Sequence, residues 1–143
     1  MYNLLNTPID YSELTGKEQE VYNYAKTASV LAEYGFSCNL ITADKHGADF
    51  IAYHIQSATP YSIQLKGSRP TIAKKYMGKN IWIAYTDRTT NELCIYEHDA
   101  AVDLFEQTDR ALTESWATNG QYSFSPTKKE SIFENITVRR TIK

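Results

Sequence analysis

Five consecutive apolar residues, Ile81-Trp82-Ile83-Ala84-Tyr85, limit what this chain can fold into more than any other feature. A strand with one face in water alternates polar and apolar residues. One that is apolar at every position has to be covered on both faces. The run is too short to be a helix buried all round, so it predicts a central strand with a layer on either side. The chain has 143 residues, which suits one such layered domain.

Around that run the chain reads as one helix followed by several strands. Over residues 16–34, Val21, Ala25, Ala28, Leu31 and Ala32 recur at helical spacing. Thr15 and Glu18 have the spacing of a capping box, and Gly35 supplies a C-terminal stop. Residues 36–42 and 48–55 read as strands on either side of a Lys45-His46-Gly47 turn. Ser57-Ala58-Thr59-Pro60 breaks the second of them. Tyr61 to Lys66 then alternates, with Tyr61, Ile63 and Leu65 on one face and Ser62, Gln64 and Lys66 on the other. Residues 92–96 form a further strand. Asp99 is the expected N-cap of a second helix ending near Gln107, and residues 110–117 extend it or form another. Residues 131–138 read as a strand or an extended arm. The order predicts an α/β (α+β) fold with a mixed central β-sheet flanked by helices.

Charge is distributed unevenly. The net charge is −2, which argues against a protein that simply coats nucleic acid. Residues 66–80 nevertheless carry five basic and no acidic side chains, and residues 121–143 carry five basic and two acidic. Two basic segments therefore stand in an otherwise acidic chain and can hold a polyanion locally. The two cysteines, Cys38 and Cys94, lie in strand segments, and there is no CxxC or Cys/His cluster. Neither a zinc site nor a disulfide scaffold is predicted. No stretch reads as a signal peptide or is long enough to span a bilayer, so no membrane association and a reduced, cytoplasmic setting are expected. The absence of a Gly-rich phosphate loop and of GxSxG disfavours an NTPase or a serine hydrolase.

The chemistry concentrates in Gly47-Ala48-Asp49-Phe50-Ile51 and Ile63-Gln64-Leu65-Lys66-Gly67. The first places a carboxylate at the start of an apolar strand. In the second, the strand period puts Gln64 and Lys66 on one face. If the two strands form a hairpin, an acid, an amide oxygen and an ammonium converge. Such a set suits phosphodiester hydrolysis. Mg²⁺ prefers oxygen ligands, and Asp49, the Gln64 amide and the backbone carbonyl of Leu65 supply them. Lys66 would stabilise charge developing in the transition state or orient the attacking water.

On these residues the chain resembles the PD-(D/E)xK nuclease superfamily, which includes restriction enzymes, junction resolvases and some homing endonucleases. The resemblance implies a restriction-endonuclease-like core running helix–strand–strand–strand–helix–strand. It puts the family's aspartate at Asp49, its D/E position at Gln64 and its lysine at Lys66. Ala48 stands where the motif has proline, and Gln64 replaces the second acid. A QxK variant occurs within the family, including an intron-encoded homing endonuclease group. Many members add a glutamate from the first helix. Glu20 is preferred over Glu18, which has its own part in the capping box, because Glu20 shares a face with Tyr24, Thr27 and Leu31.

The resemblance implies a Mg²⁺-dependent endodeoxyribonuclease acting on double-stranded DNA, with Mn²⁺ able to substitute, and of site-specific homing or restriction type. The alternatives are a junction resolvase, a catalytically idle DNA-binding or assembly protein, and an RNA-directed nuclease. Arg69, Lys74, Lys75 and Lys79 are the expected phosphate or base contacts beside the cut. Lys128, Lys129, Arg139 and Arg140 are a second such set, in a 122–143 segment that extends the single 1–143 domain for DNA contact or oligomerisation. Cutting both strands with one site per chain implies a homodimer or higher homo-oligomer.

Overall fold

The computed structural model describes residues 4–41, 47–124 and 133–143. Helix α1 spans Gly16–Glu33, opened by the capping box in which Thr15 and Glu18 each satisfy the other's backbone. Gly35 ends it at φ +86°, where a side chain would be strained. Then follow β1 (Phe36–Leu40), β2 (Phe50–His54), β3 (Pro60–Leu65), β4 (Thr71–Ala73), β5 (Ile81–Asp87) and β6 (Glu92–Glu97). Helices α2 (His98–Glu106) and α3 (Glu114–Ala117) precede β7 (Gln121–Ser123) and β8 (Val138–Thr141).

Six strands form one mixed sheet in the order β1-β2-β3-β5-β6-β8. Only the β3–β5 pair among them is parallel, with Gln64 opposite Ile83 and Leu65 opposite Ala84. β4 and β7 make a separate two-stranded sheet. The apolar run of β5 is covered on both faces. Ile81, Ile83 and Tyr85 enter a core with Tyr96, Val102, Phe105 and Phe133. Ala84, joined by the half-buried Trp82, enters a second core with Val30, Leu31, Phe50 and Ile63. Helix α1 thus covers one face of the sheet, and α2, α3 and the small sheet cover the other.

The inward face of α1 differs from the expected one. Val21, Ala25 and Ala32 are exposed, whereas Asn23, Thr27, Val30 and Leu31 are buried. Alanine gains little from burial, so the larger residues set the rotation of the helix. Asn23 is tolerated inside because it is hydrogen-bonded: its Nδ2 donates to the Tyr11 hydroxyl at 2.9 Å and its Oδ1 accepts from Arg88 at 3.4 Å.

Two other expectations are corrected, and one strand is added. Asp99 does not cap α2, whose N-cap is Glu97; the Asp99 carboxylate binds His98 Nδ1 at 2.9 Å and the Gly78 N–H at 3.0 Å. The basic 66–80 segment contains a strand not expected there, β4, with Thr71, Ile72 and Ala73 buried. Three residues without alternation or length gave it no strand signal. The C-terminal strand is Val138–Thr141, later than residues 131–138, and it joins the central sheet beside β6. Tyr122 and Phe124 pack against Phe105 in the core.

Candidate active site

The end of the sheet where β2 begins and β3 finishes holds the predicted constellation. Asp49 immediately precedes β2. Its backbone N–H donates to the Ile63 carbonyl at 2.8 Å and its carbonyl accepts from Ile41 at 3.0 Å, so its main chain continues the β1–β2–β3 ladder. Its carboxylate oxygen Oδ2 accepts the Leu65 N–H at 2.7 Å. That bond fixes the acid at the tip of β3, on the cavity that Gln64 and Lys66 also line. A charge-assisted bond this short is among the stronger kinds available.

Gln64 turns its Nε2 to the Leu65 carbonyl at 3.3 Å. The Lys66 backbone pairs with Ala84 of β5 at 2.8 Å. Its ammonium donates to the Tyr76 hydroxyl at 3.2 Å. Burial pulls the Lys66 pKa below the ordinary lysine range, and the Asp49 carboxylate partly restores it. Burial also pushes the Tyr76 hydroxyl above the usual tyrosine range, so it remains protonated beside the lysine.

Tyr76 is the residue that sequence reading passed over. It is buried, and its ring lies edge-on to His98, with centroids 5.5 Å apart. Against its other side rests Gly47. A Cβ there would fall 2.6 Å from Tyr76 Cε1, and Gly47 has φ +97°. The turn leading to Asp49 is therefore seated directly on Tyr76. The available signal was the pair of residues itself, a glycine two before the acid and a tyrosine amid lysines. Nothing local joins them.

Asp49, Gln64, Leu65 and Lys66 line a cavity of about 550 Å³ whose far wall is the N-terminal half of α1. Glu20 and Asn23 stand on that wall. Glu20 is exposed and pairs with Lys17 at 3.3 Å. It is on the same cavity as the three motif residues without contacting them. Glu18 is taken up by the cap. Among the described residues, no three His, Cys, Asp or Glu side chains gather as a metal cluster. The oxygen donors that line this cavity include the Asp49 carboxylate, the Gln64 amide, the Leu65 carbonyl and, on the α1 wall, Glu20. All are hard ligands of the type Mg²⁺ takes, so the residues present fit that ion.

The basic residues divide. Arg69, Lys74, Lys75 and Lys79 are exposed. Lys75 lies 5.2 Å from the Tyr76 ring centre, beside the site. Lys74 instead lies over Trp116 at 5.3 Å, on the opposite face of the sheet from α1. Arg139 is an interior residue. Its guanidinium bonds Asp87 at 3.0 Å and Glu134 at 2.8 and 3.0 Å, and its side chain is 8% exposed. The alternation of β8 points it inward, a direction invisible while the strand was unplaced. Arg140 lies over Tyr34, at the far end of α1. Tyr34, the C-cap, is fourteen positions after Glu20, about 20 Å along the helix at 1.5 Å each. Lys128, Lys129 and His46 lie outside the described residues. His54 packs on Phe36, in keeping with a structural role.

No protein-family model and no curated relative matches the sequence. Among solved structures, the fold is similar to that of a bacterial homing endonuclease, I-Ssp6803I. The match covers 82% of this chain and 80% of that one, with a TM-score of 0.50 and 10% sequence identity. At that identity the likeness lies in the fold. Among the described residues, no helix is long and apolar enough to cross a membrane.

Proposed function

We propose that the chain is a Mg²⁺-dependent endodeoxyribonuclease that hydrolyses phosphodiester bonds in double-stranded DNA. One observation carries the reading: the Asp49 carboxylate, held by the Leu65 N–H, shares a cavity with Gln64 and the half-buried Lys66. An acid, an amide and a desolvated ammonium on one sheet end match the D…QxK pattern. The similar solved fold is that of a homing endonuclease, which favours DNA over other phosphodiesters and a site-specific mode of action.

Asp49, Gln64, the Leu65 carbonyl and Glu20 are the groups that would hold the ion. A bound Mg²⁺ supplies Lewis acidity toward the scissile phosphate and lowers the pKa of water. The chain's own contribution is position and charge. Asp49 is locked to β3 and need not reorganise. Lys66, drawn out of water and restrained by Tyr76, is aimed at the charge that grows on the phosphate and the leaving oxygen. Lys75 and Arg69 bind backbone phosphates on the same side. Cutting both strands calls for a second copy of the chain, which makes a homodimer the expected working unit.

A second reading has its own support. The Gln64 amide donates to the very carbonyl that would ligate the ion, and the cavity holds few carboxylates. Both favour a fold that binds DNA without cutting it.

Nicking of supercoiled plasmid in Mg²⁺ or Mn²⁺, with Lys66→Ala alongside, separates the two. Cutting by the parent and none by the variant is the expected result. No cutting by either, combined with no metal binding that Asp49→Ala removes, would establish the idle reading.

A further inference from the structure

A second polar cavity, of about 110 Å³, adjoins the first along the rim between α1 and the sheet. Lys26, Arg88 and Lys143 line it together with Asn23 and Asn91, and among the described residues no Asp or Glu side chain does. Asn23 lines both cavities. A backbone bond from the Thr86 N–H to the Gly67 carbonyl, at 3.4 Å, also links them, since Gly67 faces the first and Thr86 the second.

Arg88 is positioned in this cavity by the fold. The Arg88 guanidinium lies 3.9 Å from the Tyr11 ring centre, a stacking geometry, and reaches Asn23 Oδ1 at 3.4 Å. Asn23 is 8% exposed, and its Nδ2 holds the Tyr11 hydroxyl. Tyr11, Asn23 and Arg88 thus form a fixed unit built from three distant parts of the sequence. Asn91 exchanges two bonds with Ile142, at 2.9 and 3.0 Å, which ties the C-terminal residues to the β5–β6 turn and sets Lys143 on the same rim. Lys143 has one long ion pair, to Glu33 at 3.9 Å. Three cations around one small cavity repel each other, and an anion relieves that repulsion.

We infer that this cavity is a phosphate subsite. It grips the nucleic-acid backbone on the α1 side of the cut, so that one strand runs from Arg88 and Lys26 along the Asn23 wall to Asp49 and Lys66. The assignment deepens the nuclease reading and rests on it for the identity of the polyanion. It adds Lys26, Arg88 and Lys143 to the DNA-contacting set, and the first two come from segments that carry no basic run.

The test is duplex binding followed by fluorescence anisotropy without divalent metal, across a range of salt. Lys26→Gln and Arg88→Gln are compared with Arg110→Gln, a control for net charge that lies on the α2 side of the sheet. The inference expects each of the first two to weaken binding alike on every duplex sequence. It also expects each to lower the slope of log K against log salt by about 0.9. The control should leave both unchanged. Lys26→Gln spares the Tyr11–Asn23–Arg88 unit, so its effect does not depend on that unit remaining intact. Plasmid cleavage by the parent with unchanged affinity and slope in both variants would overturn the subsite and leave the nuclease standing. Loss of binding in both variants without any cleavage by the parent would keep the subsite and remove the nuclease. No duplex binding by the parent at any salt would overturn both.

Discussion

The Lys66 ammonium is held by the Tyr76 hydroxyl at 3.2 Å, from a residue that lies outside the motif and on the far side of β4. Their pairing restrains the one cation drawn furthest from water at the site. Lys66→Met should lower cleavage by at least the 10²–10³-fold seen when one transition-state donor is removed. It should also stabilise the fold. The folded-state pKa of Lys66 lies below its ordinary 10.5, so the unfolded chain holds the proton more tightly. Stability contributed by this group therefore rises as pH climbs toward 10.5 and is diminished at neutral pH. A higher Tm for Lys66→Met at pH 7 together with lost nicking is the expected pair of results. A lower Tm would mean that Lys66 supports the fold.

Gly47→Ala should damage the site through Tyr76. The added Cβ meets the ring at 2.6 Å in a backbone region that L-residues avoid. Strain of this kind costs about 1–3 kcal/mol, and relief moves the Asp49 turn. Urea denaturation should show the loss, and Mn²⁺ titration should show weaker binding. Normal stability with normal metal affinity would mean that the turn has room to adapt.

Tyr96 clamps Thr71 from both sides. Its hydroxyl donates to the Thr71 carbonyl at 2.6 Å and accepts the Thr71 N–H at 2.8 Å, all inside the core. Tyr96→Phe leaves two buried backbone groups unpaired, each worth about 1–3 kcal/mol. A fall in the urea midpoint with an unchanged m-value is expected. A change below about 0.5 kcal/mol would show that β4 finds other partners.

His98 extends that clamp two residues on. Its Nε2 accepts the buried Ala73 N–H at 3.0 Å, so the ring has to be neutral with its proton on Nδ1, facing Asp99. Burial lowers its pKa below the ordinary 6.5, outweighing Asp99, while Lys66 adds to the lowering. The unfolded chain thus takes up the proton first, and stability falls as pH drops from 6.5 through the folded value. Denaturation midpoints between pH 7.5 and 5 should show the slope, and His98→Gln should flatten it. An equal slope in the variant would assign the effect to other groups.

Arg139→Ala should destabilise by about 3–5 kcal/mol, because it removes the cation paired with Asp87, whose side chain is 1% exposed and keeps only its Thr89 hydrogen bonds. Arg140→Ala, at an exposed position, should cost less than about 1 kcal/mol. Thermal unfolding of the two variants makes the comparison. Reversed magnitudes would place Arg139 outside the core ion pair.

By itself the sequence determined the layered class, because an unbroken apolar run in β5 has to be covered on both faces. It also determined α1 and its cap, the alternation of β3, and the meeting of Asp49, Gln64 and Lys66 at one end of the β2–β3 hairpin. All of these are local, resting on spacings within one or two elements. Tertiary structure alone decided the placement of β4, β7 and β8, three or four residues long and stable only through partners far away in sequence. It decided that Arg139 faces inward to Asp87, that Tyr76 underlies both Gly47 and Lys66, and that Arg88 stands beside Tyr11 and Asn23. Such contacts join segments ten or more residues apart. No periodicity within any of them records the partner, because the directions of their side chains follow from strand order and register.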